Sequence, residues 1–311
     1  MASSLLIGTR SSPLARWQAD WVAARLAELG VAVEIVFITT QGDVRSGPLG
    51  QIGGQGLFTK EIQRALLTGE VDIAVHSLKD LPTLPVEGLT LGAIPVRESP
   101  GDVLVTREAN DLASLPPGAR LGTGSLRRRT QLLHVRPDLV VLDIRGNVDT
   151  RLRKLEQGEY DAIVLAEAGL TRLGLADRIT QVLPKEMMLP AVGQGALGIE
   201  IRNSDQRTQA AVAPLDDRAT RAAVIAERAL LAELRGGCLA PVGAWGRIEP
   251  QGLRLDAVVL SSDGRQKIQA FRVGPMDDAH ALGVAVGGAL REQGADALIA
   301  ESRRASTPFE E

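Results

Sequence analysis

The chain has 311 residues, enough for about two or three domains that each bury an ordinary core. Hydrophobic residues make up 44% and charged residues 23%, and no apolar run approaches the ~20 residues of a membrane span. A net charge of -3 with 3% aromatic residues gives no general pull toward nucleic acid or an acidic membrane surface. One cysteine excludes an intrachain disulfide, and three scattered histidines speak against a zinc site of the usual kind, so no metal is expected. The N-terminus, Met1 to Gly8, has neither a basic region nor a long apolar core. A soluble, cytoplasmic protein is expected, with no membrane or nucleic-acid partner; no surface stripe suggests self-association, and a monomer is expected.

Leu5-Leu6-Ile7 predicts a first strand, and Ser12-Pro13 a helix start, with Leu14, Trp17, Trp21, Leu26 and Leu29 on one face and Gly30 after the end. Arg10, Ser11 and Ser12 then stand where free backbone N–H groups can hold an anion. A second strand is predicted over Val33 to Ile38. The tract Gly47 to Gly56 carries repeated glycines and predicts a lid or a loop fitted closely to a ligand. Phe58, Ile62, Ala65 and Leu66 mark the next helix. Val71, Ile73 and Val75 then alternate as a strand does, and Pro82 and Pro85 prevent a long helix after it. His76, Ser77, Lys79 and Asp80 therefore follow at the carboxyl end of a strand, the edge at which α/β sheets bind ligands. Asp80 is the candidate catalytic acid. Ser77 and Asp80 also fit a helix-capping pair, and the motif alone does not choose between capping and chemistry.

After a linker at Pro95 to Gly101 the pattern begins again. Arg120 to Arg128 repeats the order of strand, Gly-Thr, Ser and helix, and Gly158-Glu159-Tyr160-Asp161-Ala162-Ile163-Val164 echoes Gly69-Glu70-Val71-Asp72-Ile73-Ala74-Val75. Two echoes in one order predict two similar α/β halves with a ligand cleft between them. Between positions 120 and 154 stand eight arginines and one lysine against three aspartates. Such a run is commonly a solvated face. Here Thr123, Ser125, Arg127 and Arg128 lie at a glycine turn, Arg145 precedes Gly146 and Asn147, and Arg151 opens a predicted helix, so the forks suit a small polyanion. Arg172 follows Ala168-Gly169-Leu170. Leu189 to Gly198, which contains Gln194, predicts a second hinge that returns the chain to the first half as a strand over Leu197 to Ile201.

A helix from about Thr220 to Leu234 leads to Gly236-Gly237-Cys238. Strands at Gly243 to Ile248, Leu253 to Leu260 and Lys267 to Val273 and a closing helix near Asp278 to Gln293 predict a small α+β domain. A lone cysteine is commonly a buried filler, but Cys238 lies outside any periodic apolar segment.

Taken together, Arg10 to Ala15, His76 to Asp80, Gly122 to Arg128, Arg145 to Val148, Leu189 to Gly195 and Gly236-Gly237-Cys238 resemble the porphobilinogen deaminase (hydroxymethylbilane synthase) family, in order and spacing, from about residue 5 to the end. The resemblance implies a transferase of tetrapyrrole and haem biosynthesis that joins four porphobilinogen molecules head to tail, releases ammonia and hydrolyses the product to hydroxymethylbilane. It implies a dipyrromethane cofactor in thioether linkage to Cys238, a catalytic Asp80, and Arg10, Ser12, Lys79, Ser125, Arg127, Arg128, Arg145 and Arg151 on cofactor and substrate carboxylates. His76, Ser77, Thr123, Gly146, Asn147, Arg172 and Gln194 are placed in the same binding set. The implied fold is α/β, with two type II periplasmic-binding-protein-like lobes joined by a double hinge and a small α+β C-terminal domain. The expected division is 1–96 with 196–215, then 100–190, then 218–311. Gln51 and Gln55 stand where family members often carry lysine. The rival readings are a non-catalytic two-lobed binder of a small anion, which leaves Cys238 without a role, and a nucleic-acid binder, which the charge and aromatic content disfavour.

Overall fold

The computed structural model describes residues 4–40, 59–237 and 240–305. The glycine-rich tract with Gln51 and Gln55, and Cys238 itself, lie outside the described residues. The chain forms two compact units, Met1–Glu98 with Ala196–Arg221 and Ser99–Gly195 with Ala222–Glu311.

The first unit holds β1 (Leu5–Thr9), α1 (Pro13–Glu28), β2 (Val33–Phe37), α2 (Lys60–Leu67), β3 (Ile73–Ser77) and β4 (Leu89–Ala93). In the second unit lie β5 (Asp102–Thr106), β6 (Arg120–Gly122), α3 (Leu126–Val135), β7 (Val140–Leu142), α4 (Val148–Glu156), β8 (Ala162–Ala166), α5 (Glu167–Arg172) and β9 (Gln181–Val182). The chain then returns to the first unit as β10 (Leu197–Arg202) and α6 (Gln206–Val212). Helix α7 (Arg218–Glu233), β11 (Val242–Glu249), β12 (Gly252–Leu260), β13 (Lys267–Gly274), α8 (Ala279–Glu292) and α9 (Ala295–Ala305) complete it.

The two larger sheets have the same plan. Their orders are β2-β1-β3-β10-β4 and β7-β6-β8-β5-β9. In each, four strands run in one direction and the strand that follows a crossing between units, β10 or β5, inserts antiparallel among them. This is the duplicated α/β frame that the sequence echoes predict, with a third, antiparallel sheet β11-β12-β13 as the α+β part.

The first lobe is held by apolar side chains of β1, β3 and β10, including Ile7, Ile73, Val75 and Ile199, packed against Ala19, Val22 and Leu26 of α1. Each such fully buried branched side chain contributes about 1.5–3 kcal/mol over leaving it in water. The buried stripe of α1 is Gln18, Ala19, Val22 and Leu26, and Leu29 is exposed. Of the predicted face Leu14, Trp17, Trp21, Leu26 and Leu29, Leu26 is fully buried and Trp21 packs partly buried against the core, whereas Leu29 is exposed and Gln18, Ala19 and Val22 fill the rest of the inward stripe. The start of α1 is as predicted: the Ser12 hydroxyl accepts from the N–H of Ala15 at 3.4 Å, with Pro13 at the first position.

Two other details differ from the sequence reading. Strand β3 extends through His76 and Ser77, so the strand does not stop at Val75. A further helix, α9, follows the predicted closing helix after Gly294, whose φ of +97° turns the chain. No helix among the described residues is long and apolar enough to cross a membrane.

Within the second unit, the third sheet packs against the returning segment. The Pro190 carbonyl accepts from the N–H of Ala244 at 2.9 Å. Glu227, fully buried on α7, accepts from the N–H groups of Gly193 at 2.7 Å and Gly246 at 2.8 Å.

Candidate active site

In the first unit, β3 runs directly into a single 3-10 turn, Leu78–Asp80. Asp80 is exposed, Lys79 half-buried, and Leu78 buried as the anchor of the turn. The N–H of Leu78 donates to the carbonyl of Ala196 at 3.0 Å, which ties the turn to the start of β10. Gly198 on β10 is required there: a Cβ would stand 2.7 Å from the Leu78 side chain. The Ser77 hydroxyl accepts from the Gln18 side-chain amide at 2.8 Å and makes no capping bond, so the capping alternative for Ser77 and Asp80 is not realised. The carboxylate of Asp80 stands in the open at a strand end, where it can face a cation.

His76 is not at the surface. It is 5% exposed inside the lobe, with Nε2 3.1 Å from Glu200 on β10. Arg10 and Ser12, between β1 and α1, are partly exposed in the same unit.

In the second unit, Ser125 caps α3 as Ser12 caps α1, accepting from the N–H of Arg128 at 3.5 Å. Thr123, buried, accepts from the N–H of Ser125 at 3.2 Å. Arg145 bonds Asp143 through Nε at 2.9 Å and stays 38% exposed. Gly146 has a φ of +107°, and a Cβ there would meet Thr150 at 2.6 Å, which explains glycine beside Arg145 and Asn147. Arg151 donates from Nε to the Gly146 carbonyl at 2.8 Å and closes the same turn.

Arg127 and Arg128 are buried and share one carboxylate. Asp102, at the start of β5, receives Arg127 Nη1 at 2.6 Å, and Arg128 through Nε at 2.9 Å and Nη2 at 2.8 Å. Burial alone would raise the Asp102 carboxyl, but the charges of Arg127 and Arg128, with hydrogen bonds from Arg127 and Gln194, hold it far below the usual carboxylate range. Arg127 also donates to the Leu189 carbonyl at 2.7 Å, yet its buried Nε has no hydrogen-bond partner. Gln194, 1% exposed, donates to the carbonyls of Pro100 and Gly101 and to Asp102. Arg172 is 9% exposed and donates to the Gly195 carbonyl at 2.6 Å.

The structure therefore sorts the predicted set. Asp80, Lys79, Ser77, Arg10, Ser12, Ser125, Arg145, Gly146, Asn147 and Arg151 keep some exposure, whereas His76, Thr123, Arg127, Arg128, Arg172 and Gln194 are buried with protein partners. Asp102, Glu200, Gln63 and Gln18 escaped the sequence reading. An acid flanked by buried Val, Leu or Ile in a strand, as at Asp102 before Val103-Leu104-Val105 and Glu200 between Ile199 and Ile201, is the signal that would have found two of them.

Solved structures similar to the chain include a methionine-binding protein (14% identity, TM-score 0.45, 68% of this chain and 89% of that one). Another is a periplasmic substrate-binding protein of an ABC transporter from Coxiella burnetii (13% identity, TM-score 0.44, 68% and 91%). The family model described as porphobilinogen deaminase, dipyromethane cofactor binding domain, matches residues 5–210, and that of the C-terminal domain of the same family matches 221–292. Curated relatives named porphobilinogen deaminase include those of Desulforudis audaxviator (52% identity, 97% of this chain, 99% of that one) and Pelotomaculum thermopropionicum (50% identity, 98% of both). A third, from Acidithiobacillus ferrooxidans, is 51% identical over 98% of this chain and 100% of its own length. With two family models in tandem and relatives at half identity over nearly the whole length, the chain belongs to the porphobilinogen deaminase family.

Proposed function

We propose that the chain is a porphobilinogen deaminase: a transferase that condenses four porphobilinogen molecules head to tail on a cysteine-bound primer, releases ammonia, and hydrolyses the product to hydroxymethylbilane. The observation that carries this is the exposed carboxylate of Asp80, fixed at the carboxyl end of β3 in a chain of this family. Loss of ammonia from the aminomethyl group of porphobilinogen leaves an electron-poor pyrrole cation, and the ionised Asp80 stabilises the charge as it forms. Lys79, beside it, serves substrate carboxylates.

The donor set suits the dipyrromethane cofactor. Its acetate and propionate groups call for guanidinium forks, which Arg10, Arg145 and Arg151 supply with Ser12 and Ser125, and the partnerless Nε of Arg127 is a buried donor of the kind an anion satisfies. When bound through a thioether to Cys238, the cofactor supplies the pyrrole end at which the chain grows. Arg127 and Arg128, clamped by Asp102, present their remaining N–H groups in a fixed direction. We assign the acid to domain 1 (1–96 with 196–215), the arginine set to domain 2 (100–190) and the attachment cysteine to domain 3 (218–311), in a cytoplasmic monomer.

The test is an intact mass spectrum of the purified protein and of Cys238→Ala. The expected result is a mass excess of two deaminated porphobilinogen units in the parent alone, with a stepwise mass ladder and ammonia release on adding porphobilinogen. A bare parent that binds porphobilinogen without releasing ammonia would instead make it a binder.

A further inference from the structure

Glu200 is a carboxylate in the middle of the first lobe's sheet, 5% exposed, on a strand whose neighbours Ile199 and Ile201 are fully buried. A buried charge of this kind is costly unless paired and hydrogen-bonded. Two side chains from two other elements supply the bonds. Gln63 on α2 donates its amide to both carboxylate oxygens, at 3.0 and 3.2 Å, and His76 on β3 stands 3.1 Å from one of them through Nε2. A carboxylate can only accept, so Nε2 of His76 carries the proton. Gln63 is itself buried, at 7% exposure. The ladder Gln63–Glu200–His76 thus ties the helix that follows the glycine-rich tract, the strand that enters from the second crossing, and the strand that ends in the Leu78–Asp80 turn.

An apolar trio of similar volume would pack this site at no cost in buried polarity, and burying a polar ladder for stability alone is a poor bargain. What the ladder adds is direction. His76 lies one residue before Ser77, which is held by Gln18, and Leu78 is held by Ala196, so side-chain bonds from α1 and from the Glu200–Gln63 pair add to the backbone pairing of β3 with β10 on the way to Asp80.

We propose that Glu200, supported by Gln63, is a positioning residue that acts through His76 to fix the Leu78–Asp80 turn in the orientation turnover requires. This rests on the reading of Asp80 as the catalytic carboxylate. Loss of the ladder lowers kcat, and substrate affinity falls only as far as Lys79, which shares the turn, holds a substrate carboxylate. It also distinguishes donors: Gln at position 76 can still donate to Glu200, whereas Leu cannot.

The experiment measures kcat, KM and the thermal unfolding midpoint of full-length, primer-loaded protein, the primer confirmed by mass, for Glu200→Gln, Gln63→Leu, His76→Gln, His76→Leu and Asp80→Asn. A second readout is the ring N–H spectrum of the three histidines. The expected result is a tenfold or greater loss of kcat in Glu200→Gln and His76→Leu that exceeds any rise in KM, a smaller loss in Gln63→Leu, and recovery to within threefold of the parent in His76→Gln. The Nε2–H resonance of His76 shifts in Glu200→Gln. Folded Glu200→Gln with parental kcat overturns the proposal, as does equal impairment of His76→Gln and His76→Leu. If Glu200→Gln does not fold, the two His76 variants and Gln63→Leu decide by the same criteria. Parental turnover in Asp80→Asn would overturn the reading of Asp80 and the positioning role with it, whereas an inactive Asp80→Asn beside an unimpaired Glu200→Gln overturns the positioning role alone.

Discussion

The two lobes share a frame and differ in charge. At the entry to the third strand of each, an aspartate does the same work: Asp72 accepts from the N–H of Leu6 at 3.0 Å and pairs with Arg202 at 2.6 Å, and Asp161 accepts from the N–H of Arg120 at 2.7 Å and pairs with that residue's guanidinium at 3.0 Å. At the exit they part. Strand β3 ends in His76 and Ser77 and gives way to Lys79 and Asp80, whereas β8 ends in Leu165 and Ala166 and passes into α5 at Glu167. Each inserted antiparallel strand also buries a carboxylate, but Glu200 faces one imidazole and one amide, and Asp102 faces two guanidinium groups. The duplicated frame keeps the bonds that hold strands in register and lets the ends diverge, so one lobe carries an open acid and the other a bank of cations.

The largest expected effect is at the divergent exit. Asp80→Asn should cut kcat by about 100-fold or more while the primer mass is retained, since one preorganised charge facing a developing cation carries stabilisation of that order; steady-state assays with mass spectrometry check it. An equal loss on substituting Glu167 in the second lobe would break the comparison.

Next comes the buried cation bank. Asp102→Asn leaves two buried guanidinium groups without their anion and should cost about 3–5 kcal/mol of stability at neutral pH, read from urea unfolding. The pH dependence has a definite sign. The folded carboxyl lies below its ordinary 3.8, so its contribution is complete above that value and is lost as pH falls toward the folded pKa. The stability gap between parent and variant should therefore be flat from pH 5 to 8 and shrink only in strong acid, and a gap that widens on acidification would contradict the pairing.

The shared aspartates give a smaller, internal test. Asp72 and Arg202 are about one-fifth exposed, whereas Asp161 and Arg120 are more than one-third exposed, so Asp72→Asn should lower the unfolding midpoint more than Asp161→Asn. The matched helix caps, Ser12→Ala and Ser125→Ala, should each cost about 0.5–2 kcal/mol, with the two values close to each other. Smallest is Gln55→Lys, expected to change porphobilinogen affinity by less than tenfold, about 1.4 kcal/mol, in equilibrium binding.

Much of this frame was legible in the residues. Strand alternation at Val71, Ile73 and Val75, the Ser-Pro start of α1 and the Gly-Glu-x-Asp echo are local or periodic signals, and they hold because a strand buried on one side and a helix start obey rules that span only a few residues. The repeated order was enough to predict two similar α/β halves, and the strand runs between Gly243 and Val273 with their closing helix a third, α+β part. The face of α1 that packs inward was only partly legible: Leu26 and Trp21 meet the core as expected, but Gln18 and Ala19 join the inward stripe while Leu29 is exposed, a choice made only when the partner surface exists.

The candidate site divides the same way. The residue types and their place at strand ends and helix starts came from the sequence by itself, since an acid after an apolar strand or an arginine after a glycine turn is a statement about neighbours in the chain. Which of those groups stays open was decided by tertiary structure alone. Asp102 lies 25 residues from Arg127, Glu200 lies 124 from His76, and Gln63 lies 137 from Glu200. Pairing across such separations depends on which strands become neighbours, and a buried charge finds its partner only after the sheet has closed around it.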